Sequence, residues 1–147
     1  MATLSKPVSR AYEFDSKPIY NNLPVVAADI IYEGSALGEV ASTGVGHVRP
    51  AVGSATPDIF HGFADETVDN SGGAAGAKLV RVRSQGVVQL AVAAEPANNF
   101  LGATVYCTDD DTFTFTSTNA VPIGKALRKV SAGVYMVAFQ AAGLRSI

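Results

Sequence analysis

The sequence predicts an all-β protein: a small single-domain β-barrel or β-sandwich preceded by an extended N-terminal arm. From Val25 onward, short runs of β-branched and aromatic residues alternate with clusters of Gly, Pro, Asn, Asp and Ser. This pattern is typical of many short strands joined by turns. No window shows helical periodicity with caps. A chain of 147 residues, 48% of them hydrophobic, is long enough to form one domain with its own core.

Residues 1–24 are predicted to form the arm, and residues 25–147 the β-domain. Pro7, Pro18 and Pro24 exclude a regular helix or a central strand from the arm. Because a few apolar anchors do not offset the entropy lost on ordering such a segment, we expect the arm to be held in one of three ways: by backbone hydrogen bonds, by its own domain or by a neighbouring subunit. A flexible chain end is the alternative. Its candidate binding residues are apolar: Tyr12, Phe14, Ile19, Tyr20 and Leu23.

Strands joined by turns are expected along the whole β-domain. The runs 78–84 and 87–92 are predicted to form a hairpin through Ser84-Gln85-Gly86, because a Gly-containing turn separates two alternating runs. The last two runs form a second hairpin through Ser131-Ala132-Gly133. The predicted strands are residues 25–32, 59–64, 78–84, 87–92, 103–107, 112–116, 123–130 and 134–139.

Three polar or Gly-rich segments are predicted to lie between the strands. Residues 34–46 and 69–76 are expected to be loops, where binding residues usually lie. A short helix over 65–70 is left open as an alternative. Asp109-Asp110-Asp111 is expected to be a solvated turn, since it lacks the glycine and the downstream glutamate of an EF-hand calcium loop.

Side chains that commonly carry chemistry are few and scattered. His47 is expected on the surface or in a hairpin, and His61 in a packed or interface position; neither has the spacing of a zinc site. Cys107, the single cysteine, is predicted to be buried as a small hydrophobe. The glycines of 72–76 lack the Lys-Ser/Thr of a phosphate-binding loop. We therefore expect a protein that is not an enzyme and that uses no metal and no cofactor.

Charge and hydropathy restrict the partners. The net charge is −2, and no stretch concentrates Lys and Arg, so the sequence predicts no nucleic-acid partner. No apolar run has the length of a membrane span, and residues 1–6 do not resemble a signal peptide, so synthesis in the cytoplasm is expected. Charged residues make up only 16% of the chain. That share fits either a surface partly covered by partners or a β-protein rich in Ala and Gly.

Three groups of segments carry a resemblance to a known family. The first group joins residues 69–76 (DNSGGAAG) with 80–83 (VRVR) and 86–90 (GVVQL). The second is residues 102–115 (GATVYCTDDDTFTF), and the third is PIGK at 122–125 followed by 134–139. Together these turn-and-strand patterns, spread over residues 25–140, resemble tailed-phage capsid decoration proteins, also called head cement proteins.

The resemblance implies a structural role on a virion. Such a protein binds the outer surface of the assembled head across junctions between major capsid protein subunits, and it stabilises the head against internal DNA pressure. It also implies a homo-oligomer, with a trimer favoured. The main alternative is a virion module that binds host surface glycans, although the chain has no Trp. A self-assembling coat protein and an enzyme on a small barrel are further alternatives.

Overall fold

The computed structural model describes residues 4–13 and 18–144, which form eleven strands, a short 3-10 helix (Ala142–Leu144) and no α-helix. The strands are β1 (Ile19–Pro24), β2 (Asp29–Ile31), β3 (Ala36–Glu39), β4 (Arg49–Pro50), β5 (Ile59–Ala64), β6 (Val68–Asn70), β7 (Leu79–Ala93), β8 (Thr104–Cys107), β9 (Phe113–Thr114), β10 (Val121–Ser131) and β11 (Val134–Gln140). The all-β prediction is confirmed. Within these residues, no helix is long and apolar enough to cross a membrane.

Five of the strands close into a barrel. β10 pairs antiparallel with β8 and β11, and β8 pairs antiparallel with β9. β9 runs parallel to the end of β7, and β11 closes the ring by pairing antiparallel with residues 85–91 of β7. Buried side chains from these strands and from β5 fill the interior, among them Phe63, Val88, Tyr135 and Phe139. Of the two predicted architectures, the chain therefore adopts the barrel, with extra strands added to it.

The extra strands surround the first half of β7. Val82 and Arg83 pair with β5 along one edge of β7 and with β1 along the other. β3 pairs with β5 and β4, while β2 and β6 form a separate two-stranded sheet. A second core cluster lies between these strands and includes Ile31, Leu37 and Val80. β7 thus contributes to both cores of a single domain.

The predicted hairpin at Ser84-Gln85-Gly86 is wrong, because β7 continues through it as one strand of 15 residues. Buried and more exposed positions alternate without a break from Leu79 to Ala93. Ser84 and Gly86 are buried positions of this alternation, and Gly86 lies opposite Phe139 of β11. Both residues therefore lie inside a continuous strand and do not reverse the chain.

Several other strand predictions are confirmed or corrected. β5 has the predicted bounds, and the last hairpin forms through residues 131–133 as expected. The segment 34–46 is not entirely a loop, because β3 lies within it and buries Ala36 and Leu37. The open alternative of a helix over 65–70 is wrong, since β6 pairs there with β2. Regular pairing in 25–32 is limited to β2 and an isolated bridge between Val25 and Val48.

Candidate functional site

The N-terminal segment follows one edge of β7. Tyr12 forms an antiparallel bridge with Val88, and the amide of Gln89 donates to the carbonyl of Ala11 at 2.9 Å. Further along the chain, β1 pairs antiparallel with residues 79–85 of β7. The described parts of the arm therefore pack on the chain's own domain through backbone hydrogen bonds. This arrangement combines two of the three possibilities left open by the sequence.

The five candidate residues of the arm have different environments. Tyr12 is partly buried against the barrel core, and Leu23 is partly buried against the second core cluster. Ile19 and Tyr20 are 40% and 44% exposed. Phe14 lies outside the described residues. Ile19 and Tyr20 therefore remain available to a partner, whereas Tyr12 and Leu23 already stabilise the domain.

Arg10 holds the N-terminal segment in place, and sequence reasoning did not single it out. Its Nε donates to the carbonyl of Gly34 at 2.9 Å, and its Nη2 lies 2.7 Å from Asp111 Oδ1. The guanidinium carbon lies 5.4 Å from the ring centroid of Phe63 and 5.1 Å from that of Phe113. Such contacts combine a charge-assisted hydrogen bond with cation–π attraction. The available signal was a run of three carboxylates without a local counter-charge.

The run Asp109-Asp110-Asp111 forms a turn, but the prediction that it is solvated is wrong for Asp110. Asp110 is fully buried. Its Oδ2 accepts from Ser35 Oγ at 3.1 Å, and its Oδ1 accepts from the amide of Leu4 at 3.3 Å. These donors are 75 and 106 residues away in the sequence, so no local pattern could reveal them. The run therefore joins the N-terminal segment to the body of the domain.

The residues considered for metal binding or nucleophilic chemistry make ordinary structural contacts. Within residues 4–13 and 18–144, no group of three or more His, Cys, Asp or Glu is placed to hold a metal ion. His61 Nε2 lies 2.9 Å from Glu39 Oε1. Burial on its own would raise the pKa of the Glu39 carboxyl. Hydrogen bonds from the Gly46 amide and His61 outweigh this effect, so the pKa of Glu39 lies below its ordinary value. His47 is partly buried beside Gly76.

Cys107 is fully buried, as the sequence predicts. Burial is the largest influence on its thiol and raises the pKa, and nearby carboxylates raise it further. Because the thiolate is the reactive form, this environment makes Cys107 a poor nucleophile.

A second arginine, Arg83, lies beneath the arm. Its side chain is only 15% exposed, and its guanidinium carbon lies 3.8 Å from the ring centroid of Tyr12 and 5.1 Å from that of Tyr20. Its Nη2 is 3.9 Å from Asp65 Oδ1, beyond hydrogen-bond distance. Arg83 lies at a less buried position of the β7 alternation, next to the buried Val82, and the sequence did not predict that the arm covers it.

A cavity of about 140 Å³ lies where the N-terminal segment meets the body of the domain. Two of the three buried side-chain atoms without a hydrogen-bond partner in the described residues, Tyr12 Oη and Arg83 Nε, belong to residues that line it. Both sides of the cavity contribute charged or polar groups: Arg10 and Tyr12 from the segment, and Glu33, Asp65 and Arg83 from the body.

A separate group of exposed apolar side chains lies near the end of the β10–β11 hairpin. We call Leu101, Leu127 and Val130 the hairpin surface; they are 58%, 49% and 50% exposed. Leu127 and Val130 are the extra residues at two shifts of register between β10 and β11. A bulge of this kind turns a side chain out of the regular alternation, so the sequence pattern did not reveal this surface.

Comparison with known proteins yields no match to any family model, curated protein or solved structure.

Proposed function

We propose that this chain is a structural capsid decoration, or cement, protein. It binds the outer surface of the assembled tailed-phage head across junctions between major capsid protein subunits and stabilises the head against internal DNA pressure. The observation that carries the proposal is the solvent-facing pair Ile19 and Tyr20 on β1, a strand at the margin of the sheet. The resemblance of residues 25–140 to head cement proteins supports the same function.

The position of β1 suits a contact with an extended partner segment. In the described part of the chain, β1 pairs as a strand only with β7. On its other edge the Pro24 carbonyl accepts from the Val48 amide, and the rest of that edge has no strand partner. Such an edge accepts an additional strand from another polypeptide, while neighbouring side chains supply specificity. A segment of the major capsid protein would pair along β1, and Ile19 and Tyr20 would cover its apolar side chains.

Decoration of a head benefits from several weak contacts acting together. We propose that the chain acts as a homo-oligomer, with a trimer favoured, so that each oligomer contacts several capsid subunits. Once one contact forms, the others become intramolecular and occur at a high effective concentration. Because the oligomer would bind the expanded head and not its separated subunits, binding stabilises the expanded state by mass action.

Co-sedimentation with empty phage heads tests this function. We expect the purified chain to sediment with expanded heads and to raise the temperature at which they break. The double variant Ile19→Ser, Tyr20→Ser should weaken binding by about tenfold or more, because it removes apolar contact area at the interface. Leu101→Ser with Leu127→Ser is the matched control, since it removes a similar exposed area from the hairpin surface.

Two results would contradict the proposal at different levels. If the wild-type chain does not bind expanded heads, the cement function is wrong, and binding on a glycan array would then favour the recognition module. If heads bind the double variant as tightly as the wild type, β1 is not the contact surface. Deletion of residues 1–24 is a poor substitute, because it would also remove β1, Arg10 and Tyr12 from the fold.

A further inference from the structure

One carboxylate attaches the loop between β3 and β4 to the body of the domain. Glu39, the last residue of β3, accepts a hydrogen bond from the Gly46 amide through Oε2, at 2.6 Å. Its other oxygen, Oε1, lies 2.9 Å from His61 Nε2. Glu39 therefore joins the far end of the loop to β5, the strand that carries His61.

An irregularity in the pairing of β3 with β5 places His61 for this contact. Between Leu37 and Gly38 the register shifts by one residue, which leaves His61 without an opposite residue on β3. Such a bulge interrupts the regular alternation and changes the direction of a side chain. The side chains of His61 and Glu39 are only 24% and 16% exposed, so water screens their contact less than that of a pair on the open surface.

The loop also packs directly on the Glu39 side chain. The Gly44 amide donates to the carbonyl of Val40 at 2.8 Å, which closes a turn within the loop. A Cβ atom at Gly44 would lie 2.3 Å from Glu39 Cγ, so the loop and this side chain are in contact. The next residue, Val45, is 76% exposed. The position of this exposed apolar side chain thus depends on the contacts of Glu39.

Three further charged or titratable side chains come from the elements packed around Glu39. On β4, Arg49 binds Asp58, which precedes β5, through hydrogen bonds of 2.8 and 3.0 Å. The third is His47, at the end of the loop. Burial would raise the pKa of Glu39, but hydrogen bonds from the loop amide and from His61 lower it, and the charge of His47 has a smaller effect in the same direction. His61 is therefore the titratable group that acts most directly on this carboxylate.

We propose that Glu39 and His61 form a pH-dependent anchor of the β3–β4 loop. A histidine changes its charge between about pH 5 and 8. When the ring is protonated, it adds ionic attraction to its hydrogen bond with the carboxylate. When the ring is neutral, that attraction is lost, and the contact persists only in the tautomer that carries its hydrogen on Nε2. The loop is therefore held most firmly at weakly acidic pH and becomes more mobile as the pH rises.

The carboxylate itself sets a limit at low pH. The pKa of Glu39 lies below its ordinary value because the charged form is the one that accepts both hydrogen bonds. As the pH falls through this lowered pKa, the carboxyl takes up a proton and its contribution to holding the loop is lost. Firm attachment thus needs an ionised carboxylate and a protonated histidine at the same time.

Water-exchange NMR of the isolated chain measures how often the Gly46 amide leaves Glu39. The exchange rate is divided by that of an unprotected glycine amide at the same pH, which removes the direct effect of pH on exchange. Between about pH 5.5 and 8 we expect this protection to fall about two- to fivefold, as loss of a partly exposed ion pair would cause.

Three variants identify the groups responsible. His61→Gln should remove the change in protection over this pH range. Glu39→Gln should also remove it, because the amide keeps an acceptor of similar shape but carries no charge. His47→Gln is the matched control, since it removes the other nearby histidine; it should retain the change, because His61 is the histidine in contact with the carboxylate.

The wild-type titration alone can overturn the inference, so the test does not depend on the folding of any variant. Constant protection of the Gly46 amide between about pH 5.5 and 8 would show that the loop is not controlled by a histidine. A change that persists in His61→Gln or Glu39→Gln, or that disappears in His47→Gln, would also overturn the inference, since another group would then control the loop.

Discussion

Gly62 allows β5 to approach β7 more closely than any larger residue would. A Cβ atom at this position would lie 2.2 Å from the carbonyl oxygen of Arg83 and 2.9 Å from the Cα atom of Ser84. The φ angle of Gly62 is +119°, a conformation that other residues rarely adopt. The two close atoms and the φ angle all belong to the backbone, so a small shift of a side chain cannot relieve the strain or the clash.

We predict that Gly62→Ala lowers the free energy of unfolding by about 3 kcal/mol, because it adds backbone strain and a steric clash. Gly72→Ala is the matched control: no atom lies within 4 Å of a Cβ atom built there, and no positive φ opposes the change. Urea denaturation followed by circular dichroism measures both variants. Equal stability of the two would mean that close approach of β5 and β7 is not required.

Single residues differ in how far their sequence context predicts their environment. The burial of Cys107 could be predicted, because its strand neighbours already form an apolar alternation. The burial of Asp110 and the cover over Arg83 could not be predicted. Their contacts come from the N-terminal segment and from loops distant in the sequence. A local sequence pattern does not show which distant residues will be in contact.

Among the strands, β7 shows that a segment with the composition of a turn can lie inside a continuous strand. Ser84-Gln85-Gly86 has the composition of a tight turn, but the alternation of apolar residues keeps its phase across it. Val80 and Val82 before the segment, and Val88 and Leu90 after it, all fall on even positions and are buried. A continuous phase favours a single strand over a hairpin, and it was visible in the sequence.

β1 offers a direct comparison between structural and exposed apolar residues. Leu23 packs against the second core cluster, whereas Ile19 is 40% exposed. We predict that Leu23→Ala lowers the free energy of unfolding by about 1–2 kcal/mol, because buried apolar area is lost. Ile19→Ala should cost less than about 0.5 kcal/mol, as substitutions on the surface usually do.

Urea denaturation of the two variants of β1 also tests how the arm is held. If Leu23→Ala is as stable as the wild type, β1 is not docked on its own domain in solution, and β1 is free for a partner. If Ile19→Ala is strongly destabilised, Ile19 contributes to the core and is not available at the surface.

At the scale of the whole molecule, the class of fold was predictable and the closure of the barrel was not. Short runs of β-branched and aromatic residues, separated by clusters of turn residues, indicate β-structure along the chain. The pairs that close the ring, β11 with β7 and β9 with β7, join strands distant in sequence, and one of them is parallel. These pairings depend on how the strands pack in space, and short alternating runs carry little information about their order.

The two core clusters share one face of β7, so we expect them to unfold together. Val82 belongs to the second cluster and Val88 to the barrel core, and both are fully buried. Val82→Ala and Val88→Ala should each lower the free energy of unfolding by about 2 kcal/mol, through lost apolar burial and the cavity that remains. Val130→Ala, at a half-exposed position, is the control that should change little.

Calorimetry and hydrogen exchange measure whether this coupling holds. Both buried variants should retain a single thermal transition, and amides of β3 and β5 should lose protection together with those of β10 and β11. Two resolved transitions in Val82→Ala, with β10 and β11 still protected after the first, would contradict the prediction. In that case the strands around the first half of β7 would be a separate folding unit, and β7 alone would not be enough to join the two cores.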